Sequence, residues 1–399
     1  MSIRTGWITV ITLILSINIY GQDITGNKFG KGLINIEAQD SSYSMKMGLR
    51  MQSLFTSDWG ISEADGFGDA ESAFLIRRAR LKFDGYAYSP KLQYKVELGL
   101  SNDDISGSSD FTSDAPRVIL DAVVKWNFYE NFELWAGQAK LPGNRERLIS
   151  SGSLETVDRS LLNSRFNIDR DLGVQLHHET SLGGNFIMRE ALSVAQGEGR
   201  NVTTGNLGGY QYTARLEFLP FGDFEDYAGA DFAREQRAKL AVGLSYDFND
   251  NAVKTRSNMG SYMLLDNGFF ETDIMTYFVD AIFKYNGFSA LGEFAYRDAE
   301  DVFAINPDRS LTGAAVNVGH GLNLQAGYLF LNNFQVVGRY TTIDLDDRLT
   351  EVIEDQYTIA LSKYIAKHKL KVQTDLSYTD MNLGLDDGLT YRLQLELQL

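Results

Sequence analysis

The sequence of 399 residues contains no cysteine, carries no net positive charge and, after its first 21 residues, has no long apolar run. Without cysteine, the chain cannot form a disulfide framework, a zinc site with thiolate ligands or a lipid anchor on an N-terminal cysteine. Its formal charge of −16 disfavours nucleic acid as a partner, because phosphate binding requires a basic surface. The missing apolar runs exclude a transmembrane helix in residues 22–399, since such a helix needs roughly 20 apolar residues.

Motifs typical of enzymes are also missing. The four histidines, His177, His178, His320 and His368, lie outside any recognisable nucleophile pattern. The sequence has no G-x-S-x-G, H-E-x-x-H or Walker motif. It therefore predicts neither an enzyme nor a bound metal or cofactor.

The N-terminus has the features of a secretory signal peptide. Arg4 supplies a positive charge, an apolar run extends from Trp7 to Ile19, and the small residue Gly21 precedes Gln22. A single membrane anchor is the alternative, but the run is shorter than the roughly 20 residues that a spanning helix needs. We therefore expect a signal peptide at 1–21, export of the chain, an N-terminal segment at 22–42 and one domain at 43–399.

Most of this domain alternates between apolar and polar residues. In AFLIRRARLKFDG, residues 73–85, Arg78, Arg80 and Lys82 alternate with apolar residues, and a period of two indicates a β-strand with two unlike faces. Sixteen such segments recur, each roughly 9–12 residues long, which is the length of a tilted strand that crosses a membrane. They are 43–54, 73–84, 91–100, 117–126, 132–140, 171–180, 186–196, 209–219, 238–248, 274–285, 288–297, 320–330, 334–344, 355–364, 368–378 and 389–399.

The connections between these segments alternate in length. Loops such as 55–72 and 141–170 are long, whereas 85–90 and 286–287 are short. Long loops on one side, short turns on the other and an even number of strands are typical of outer-membrane barrels. A soluble β-sandwich or a solenoid gives no reason for this alternation. The sequence thus predicts an all-β fold, a transmembrane antiparallel β-barrel of about 16 strands in the cell outer membrane.

One connection does not follow this alternation of long and short connections. Segment 220–237, PFGDFEDYAGADFAREQR, stands where a short turn is expected. We interpret it as a small helix or a plug-like excursion.

The charges within the strands indicate which face is inside. A charged residue on the lipid face costs roughly 2–4 kcal/mol near the midplane, so Arg78, Arg80 and Lys82 require an aqueous lumen. At the predicted lumenal positions basic residues, among them Arg339, outnumber acidic ones, which predicts a field that favours anions. Pairing with interleaved acids such as Asp84 is the alternative role for each basic residue.

Loop 141–170, LPGNRERLISSGSLETVDRSLLNSRFNIDR, is the most informative connection. It is thirty residues long and mixes basic, acidic and apolar residues, so we expect it to pack on another part of the protein. With FLIRRARLKFDG, WAGQAKLPGNRERLISS, RDLGVQL and ARLEFLPFG in this order and spacing, the chain resembles the phosphate-selective porin O and P family. The resemblance spans essentially the whole mature chain.

This resemblance implies a 16-stranded barrel, commonly trimeric, whose third outer loop folds inward and forms the constriction. By resemblance the constriction lies within 141–170, and Arg78, Arg80 and Lys82 belong to the adjacent wall. The family name implies phosphate as a solute, whereas acidic residues interleave with the basic ones here. Salt bridges within the loop are the alternative role for its arginines. The candidate pore-lining and anion-binding residues are Arg78, Arg80, Lys82, Arg145, Arg147, Arg159, Arg165, Arg170 and Arg339.

Two functions from different classes fit these features. The leading hypothesis is an outer-membrane porin for passive diffusion of small, anionic and phosphate-like solutes, surrounded by outer-membrane lipid and assembled as a homotrimer. The alternative is a structural or accessory barrel subunit of a larger outer-membrane complex, with a lumen closed by loop 141–170 and with acidic loops and segment 220–237 as docking surfaces. Ion conductance by the purified protein favours the first, and stable co-purification with other subunits favours the second.

Overall fold

The computed structural model describes residues 22–24, 28–62, 64, 66–105, 109–112, 115–203, 205–350, 352–382 and 385–399. The signal peptide expected at 1–21 lies outside these residues. No helix in the described part of the chain is both long and apolar enough to cross a membrane.

Within the described residues, sixteen antiparallel strands close into one barrel, which confirms the predicted fold. The barrel closes where β16 pairs with β1, with Leu393 opposite Phe55. The strands are β1 Ser44–Ser62, β2 Glu71–Ala87, β3 Ser89–Gly99, β4 Ile119–Tyr129, β5 Phe132–Lys140, β6 Arg170–Gly183, β7 Phe186–Ala195, β8 Gln211–Leu219, β9 Lys239–Ala252, β10 Thr272–Tyr285, β11 Phe288–Ala299, β12 Gly319–Leu329, β13 Phe334–Leu345, β14 Ile353–Tyr364, β15 Leu370–Met381 and β16 Asp387–Gln398.

Shorter elements lie at the ends of the barrel. Gln22–Ile24 pairs with Ile34–Ala38, and the latter pairs with the beginning of β1. Two small hairpins, Lys254–Arg256 with Met259–Tyr262 and Phe303–Ile305 with Leu311–Ala315, lie in long loops, and Gly66–Phe67 pairs with the end of β1. Loop 141–170 contains the helices α1 Arg145–Leu148 and α2 Leu161–Phe166, and a single 3₁₀ turn covers Asp110–Thr112.

The strand β1 is longer than its alternating segment, 43–54, predicts. It continues to Ser62 because β16 stays beside it as far as Asp387, which lies opposite Ile61. Ladder hydrogen bonds to a neighbouring strand keep a segment extended whatever its side chains prefer. The part of β1 beyond residue 54 is therefore held in the sheet by its pairing with β16.

The distribution of exposed and buried residues is the reverse of that in a soluble protein. Along β8, Gln211 and Arg215 are buried, whereas the alternating Tyr212 and Leu216 are exposed. Similar inverted patterns recur along β9 to β16, with exposed leucine, tyrosine and valine residues on the outside. The polar face of each strand thus points to the interior, and the apolar face forms a surface suited to lipid.

Short turns and long loops lie at opposite ends of the barrel. β10 and β11 are joined by Asn286 and Gly287, whose φ angles of 51° and 85° are those of a two-residue hairpin turn. We call this end the turn side, and the end that carries loop 141–170 the loop side. Residues 220–238 belong to the turn side; they form turns and bends, so the small helix considered for this segment is not present in them.

A charge on the outer face tests this orientation. Leu376 lies in the middle of β15 and is 40% exposed. Replacing Leu376 by arginine should lower the free energy of unfolding by about 2–4 kcal/mol, because an outward charge near the midplane meets lipid. The same substitution at Leu397, at the end of β16, should cost about 0–1 kcal/mol. Urea-induced unfolding in lipid vesicles measures both losses, and equal losses would contradict a lipid-facing position for Leu376.

Candidate functional site

Loop 141–170 runs inside the barrel. Its helix α2 packs Leu162 and Phe166 against Phe278 of β10 and Ile343 of β13, and all four side chains are buried. Burial of a large apolar side chain contributes about 1.5–3 kcal/mol. This apolar contact holds the loop against the wall formed by β10 to β13.

Arg145 of α1 is the main ionic anchor of the loop. It is fully buried, and its Nε donates a hydrogen bond to Asp280 at 2.8 Å. Its Nη1 and Nη2 donate to Asp226 and Glu217, also at 2.8 Å. Arg215 donates to two of the same carboxylates, Glu217 and Asp280, each at 2.7 Å. With Arg189, which binds Asp226 at 3.1 Å, three guanidinium groups balance the three carboxylates, which makes this cluster an internal support.

Two acidic residues fasten the loop to other parts of the wall. The Glu155 carboxylate accepts a hydrogen bond from Gln325 Nε2 at 2.7 Å. The Asp158 carboxylate accepts from Arg77 at 2.9 Å and from Arg392 at 3.2 Å. Burial raises the pKa of Asp158, but Arg392 and Arg77 lower it by more, so this carboxyl group stays ionised. Loop 141–170 is therefore attached to strands on both sides of the barrel closure.

A cavity of about 1070 Å³ remains beside the loop. Its barrel wall consists of residues from β2 to β8, and among the described residues none from β1 or from β9 to β16 takes part. The lining begins on the loop side, at Asp103 and Arg200, and reaches Asn131 and Glu179 on the turn side. The cavity therefore extends between the two ends of the barrel along one half of its wall.

The lining of this cavity has more basic than acidic side chains. Fourteen basic and ten acidic residues of the described chain line it, an excess of four positive charges in a protein whose net charge is −16. The basic ones are Arg77, Arg78, Arg80, Lys95, Arg117, Lys125, Lys140, Arg147, Arg159, Arg170, Arg189, Arg200, Arg215 and Lys254.

The nine candidate residues fall into two groups. Arg78, Arg80, Arg147, Arg159 and Arg170 line the cavity. The other four are Lys82, Arg145, Arg165 and Arg339, and they lie away from it.

Each residue of the second group has a partner elsewhere. Lys82 pairs with Asp84 at 3.0 Å, and Arg165 pairs with Glu354 at 2.7 Å. Arg339 is buried and donates to Thr156 Oγ1 at 3.0 Å, which holds the loop to β13. Arg145 is occupied by its three carboxylates.

Three of the five candidate residues on the lining are paired with carboxylates. Arg80 binds Asp104 and Glu97, Arg147 binds Asp169, and Arg170 binds Asp121 at 2.8 Å.

Arg78 and Arg159, the other two candidates on the lining, and the lining residue Lys140 bind only neutral oxygen atoms. Arg78 donates to Gln52 Oε1 at 2.7 Å, and Arg159 donates to the carbonyl oxygens of Glu146 and Ile149 at 2.9 and 2.7 Å. Lys140 donates to three backbone carbonyl oxygens at the end of α1. Within the described ranges, no carboxylate oxygen lies within 4.0 Å of these three cations. We call Arg78, Lys140 and Arg159 the unneutralised trio.

The positive charges around Arg159 lie close to one another. Burial and the nearby cations Arg147 and Arg78 hold the pKa of the Arg159 guanidinium well below its ordinary value. An anion beside this group would relieve that repulsion. The arrangement can therefore bind or attract anions.

Arg77 and Lys140 are among the lining residues that the sequence analysis missed. A β-bulge in β2 shifts the register opposite Gln52 and Ser53, so that Arg77 and Arg78 both line the cavity. In the sequence, the break in alternation at Arg77 was the feature that could have indicated this bulge. Lys140 is the last residue of β5, where alternation no longer decides the side of a residue, and nothing in its sequence environment distinguished it.

The His177 ring is held by neighbouring side chains of the lumen. His177 lines the cavity, but its ring stacks on Trp135 at 4.2 Å and its Nε2 lies 3.0 Å from Gln175 Oε1. In the described chain, no group of three or more histidine or acidic residues is placed to hold a metal ion.

Comparisons with known proteins agree with the geometry. A relative from Aquifex aeolicus (strain VF5), known only as an uncharacterized protein, is 25% identical over 340 residues, which are 78% of this chain and 77% of the relative. An anion-selective porin from Comamonas acidovorans has a similar fold, with a TM-score of 0.57, 11% identity and coverage of 90% of this chain and 100% of that one. The trimer form of OmpT from Vibrio cholerae, folded in vitro, has a TM-score of 0.51, 12% identity and coverage of 89% and 99%.

The family follows from the sequence match rather than from these folds. Identities of 11% and 12% with the solved structures show the fold alone. The sequence model of the family Phosphate-selective porin O and P matches residues 45–383, which is most of the chain and almost all of the barrel. The chain therefore belongs to the phosphate-selective porin O and P family, and its barrel is that of an outer-membrane porin.

Proposed function

We propose that this protein is a passive channel for small anionic solutes and that the cavity along β2 to β8 is their path. The observation that carries the proposal is the unneutralised trio, Arg78, Lys140 and Arg159, on the wall of that cavity. In this proposal loop 141–170 is the constriction, and an N-terminal signal peptide directs the chain to the outer membrane.

The charges of the cavity lining act on solutes through their local electrostatic field. Of the fourteen basic lining residues in the described chain, at least seven are paired with carboxylates, so they contribute little at a distance. The unneutralised trio adds to the positive excess of the lining, and low-dielectric protein around a narrow path focuses its field. Anions should therefore be concentrated in the path, and cations should be depleted from it.

Phosphate-like oxyanions fit the lining best. An oxyanion is held by several charge-assisted hydrogen bonds at once, and a guanidinium group presents five donors in a fixed fork. Arg78 and Arg159 each use only part of this capacity on protein atoms. The family name and the anion selectivity stated for the porin from Comamonas acidovorans support the same class of solute.

The constriction role rests on how firmly the loop is fastened. Arg145, Glu155 and Asp158 bind it to strands around the barrel, and α2 packs on β10 to β13. A loop so attached narrows the lumen permanently instead of opening and closing. Solutes then pass only between its inner side and the wall from β2 to β8.

Single-channel recording in a planar bilayer tests the proposal. With a gradient of KCl across the bilayer, the purified protein should give a steady conductance and a reversal potential that indicates chloride over potassium. Added phosphate should reduce the chloride current, because it occupies the same cations. A preference for potassium would contradict the anionic solute, and a folded barrel without conductance would favour the accessory-subunit alternative.

The assembly proposed for this channel is a homotrimer in outer-membrane lipid. A similar fold is known in a trimer form for OmpT, and the outer surface of this barrel is broadly apolar. Chemical cross-linking of the purified protein should stop at three copies, and a ladder that ends at one or two copies would argue against the trimer.

A further inference from the structure

The long connection between β8 and β9 folds into the barrel from the turn side. Of its residues, Phe224, Ala228 and Ala230 are buried, and Phe224 packs with Ile282 of β10 and with other inward-facing residues. Lys284 of β10 donates from Nζ to the carbonyl oxygens of Glu225 and Ala230, at 2.6 and 3.2 Å. We call residues 220–238 the turn-side insertion.

This insertion meets loop 141–170 within the barrel. The Gly229 N–H donates to the Ser153 carbonyl oxygen at 2.9 Å. A Cβ atom at Gly229 would lie 2.4 Å from Cγ of Glu155, so only glycine permits this approach. Asp226 of the insertion also binds Arg145 of the loop. Two segments that enter from opposite ends of the barrel thus pack on each other in the lumen, against the strands from β8 to β15.

The insertion also reaches the cavity. Asp226 and Tyr227 line it, and the Tyr227 hydroxyl donates to Glu217 at 2.7 Å. Arg189 of β7 lines the same region and is bound by two residues of the insertion, Asp226 at 3.1 Å and Asp223 at 2.6 Å, and by Glu179 of β6 at 2.8 Å. The insertion therefore supplies both a bulky ring and two neutralising carboxylates to the turn-side half of the path.

We infer that the turn-side insertion is a second pore-forming element, which limits conductance through Tyr227 and weakens anion selectivity by neutralising Arg189. This inference deepens the proposed function and rests on it. In this arrangement loop 141–170 shapes the path from the loop side and the insertion shapes it from the turn side. The turn-side end of the path is then less selective for anions than the region of the unneutralised trio.

The single-channel conductance tests whether the Tyr227 ring limits the flow of ions through the path. Tyr227→Ala should raise the single-channel conductance by about 1.5-fold, because a side chain on a narrow path is removed. Tyr212→Ala is the matched control, since Tyr212 is an exposed tyrosine on the outer face, 44% exposed, and its loss should leave the conductance unchanged. Equal conductance of Tyr227→Ala and wild-type channels would overturn the inference.

A second variant tests whether the insertion weakens anion selectivity by neutralising Arg189. Asp223→Asn keeps the shape of the side chain but frees Arg189 from one exposed carboxylate. The ratio of chloride to potassium permeability should rise by about twofold. An unchanged or lower ratio in a conducting channel would overturn this part.

The absence of native cysteine allows a test that does not depend on conductance. A charged, membrane-impermeant thiol reagent should modify Tyr227→Cys at least about tenfold faster than Ala230→Cys, because Ala230 belongs to the same insertion but is fully buried. Equal rates would overturn the inference even in a barrel that does not conduct. A wild-type barrel without current but with this difference in rates would contradict the proposed function and leave the placement of Tyr227 on the water-filled path supported.

Discussion

Replacing Arg145 by methionine should destabilise the folded barrel by about 3 kcal/mol and loosen loop 141–170. Arg145 is fully buried, and its guanidinium group serves three carboxylates. Removing one partner of a buried ion pair costs roughly 3–5 kcal/mol, because the remaining charge is left without compensation. We expect the lower end of this range here, since Arg215 and Arg189 still reach the same carboxylates.

Urea-induced unfolding and limited proteolysis measure the two effects of this change. Cleavage within 141–170 should become faster in Arg145→Met, because the loop loses its attachment to β8 and β10. Arg348→Met is the matched control, since Arg348 is half exposed and pairs with Asp346 and Asp298 on the loop side. Exposed pairs contribute about 0–1 kcal/mol. Equal midpoints of unfolding for the two variants would contradict an anchoring role for Arg145.

The second large effect is expected on the selectivity of the channel for anions over cations. Arg78→Glu should lower the ratio of chloride to potassium permeability by about tenfold, because it changes the charge of the narrow path by two units next to the solute. Arg78→Gln, which changes the charge by one unit, should give an intermediate ratio. The effect should be larger in 0.1 M than in 1 M salt, since the screening length falls from about 10 Å to about 3 Å.

Lys82→Glu provides the matched control for this prediction. It makes the same change of charge on the same strand, but Lys82 pairs with Asp84 and does not line the cavity. Four residues of strand separate it from Arg78, which is about 13 Å and more than the screening length at 0.1 M. Reversal potentials in a KCl gradient measure all three variants. Equal shifts for Arg78→Glu and Lys82→Glu would contradict a solute path beside the unneutralised trio.

The strands could be predicted because their signal is local. Alternation with a period of two is a property of neighbouring residues, and it was sufficient to find all sixteen strands of the described barrel. Strand ends were less accurate where pairing continued beyond the alternating residues. β1 illustrates this, because it was predicted to end at residue 54, whereas pairing with β2 and β16 holds the chain extended beyond that point.

The lining of the cavity could be predicted only in part. Arg78 and Arg80 follow from alternation, and the resemblance to the porin family pointed to the arginines of loop 141–170. Among those arginines, Arg159 and Arg145 are alike in sequence terms, since both lie in a mixed, charged loop. In the structure Arg159 faces the cavity and Arg145 is enclosed by carboxylates from β8, β10 and the turn-side insertion.

The sequence by itself determined the class of this protein: a sixteen-stranded barrel with a polar interior, a long loop at 141–170 and an unusual connection at 220–237. These properties depend on the order of residues along each strand and on the lengths of the connections. Only the tertiary structure decided which cations are neutralised and which half of the lumen stays open. The carboxylates that neutralise Arg145 are separated from it by 72 to 135 residues along the chain, and no local pattern can state such a pairing.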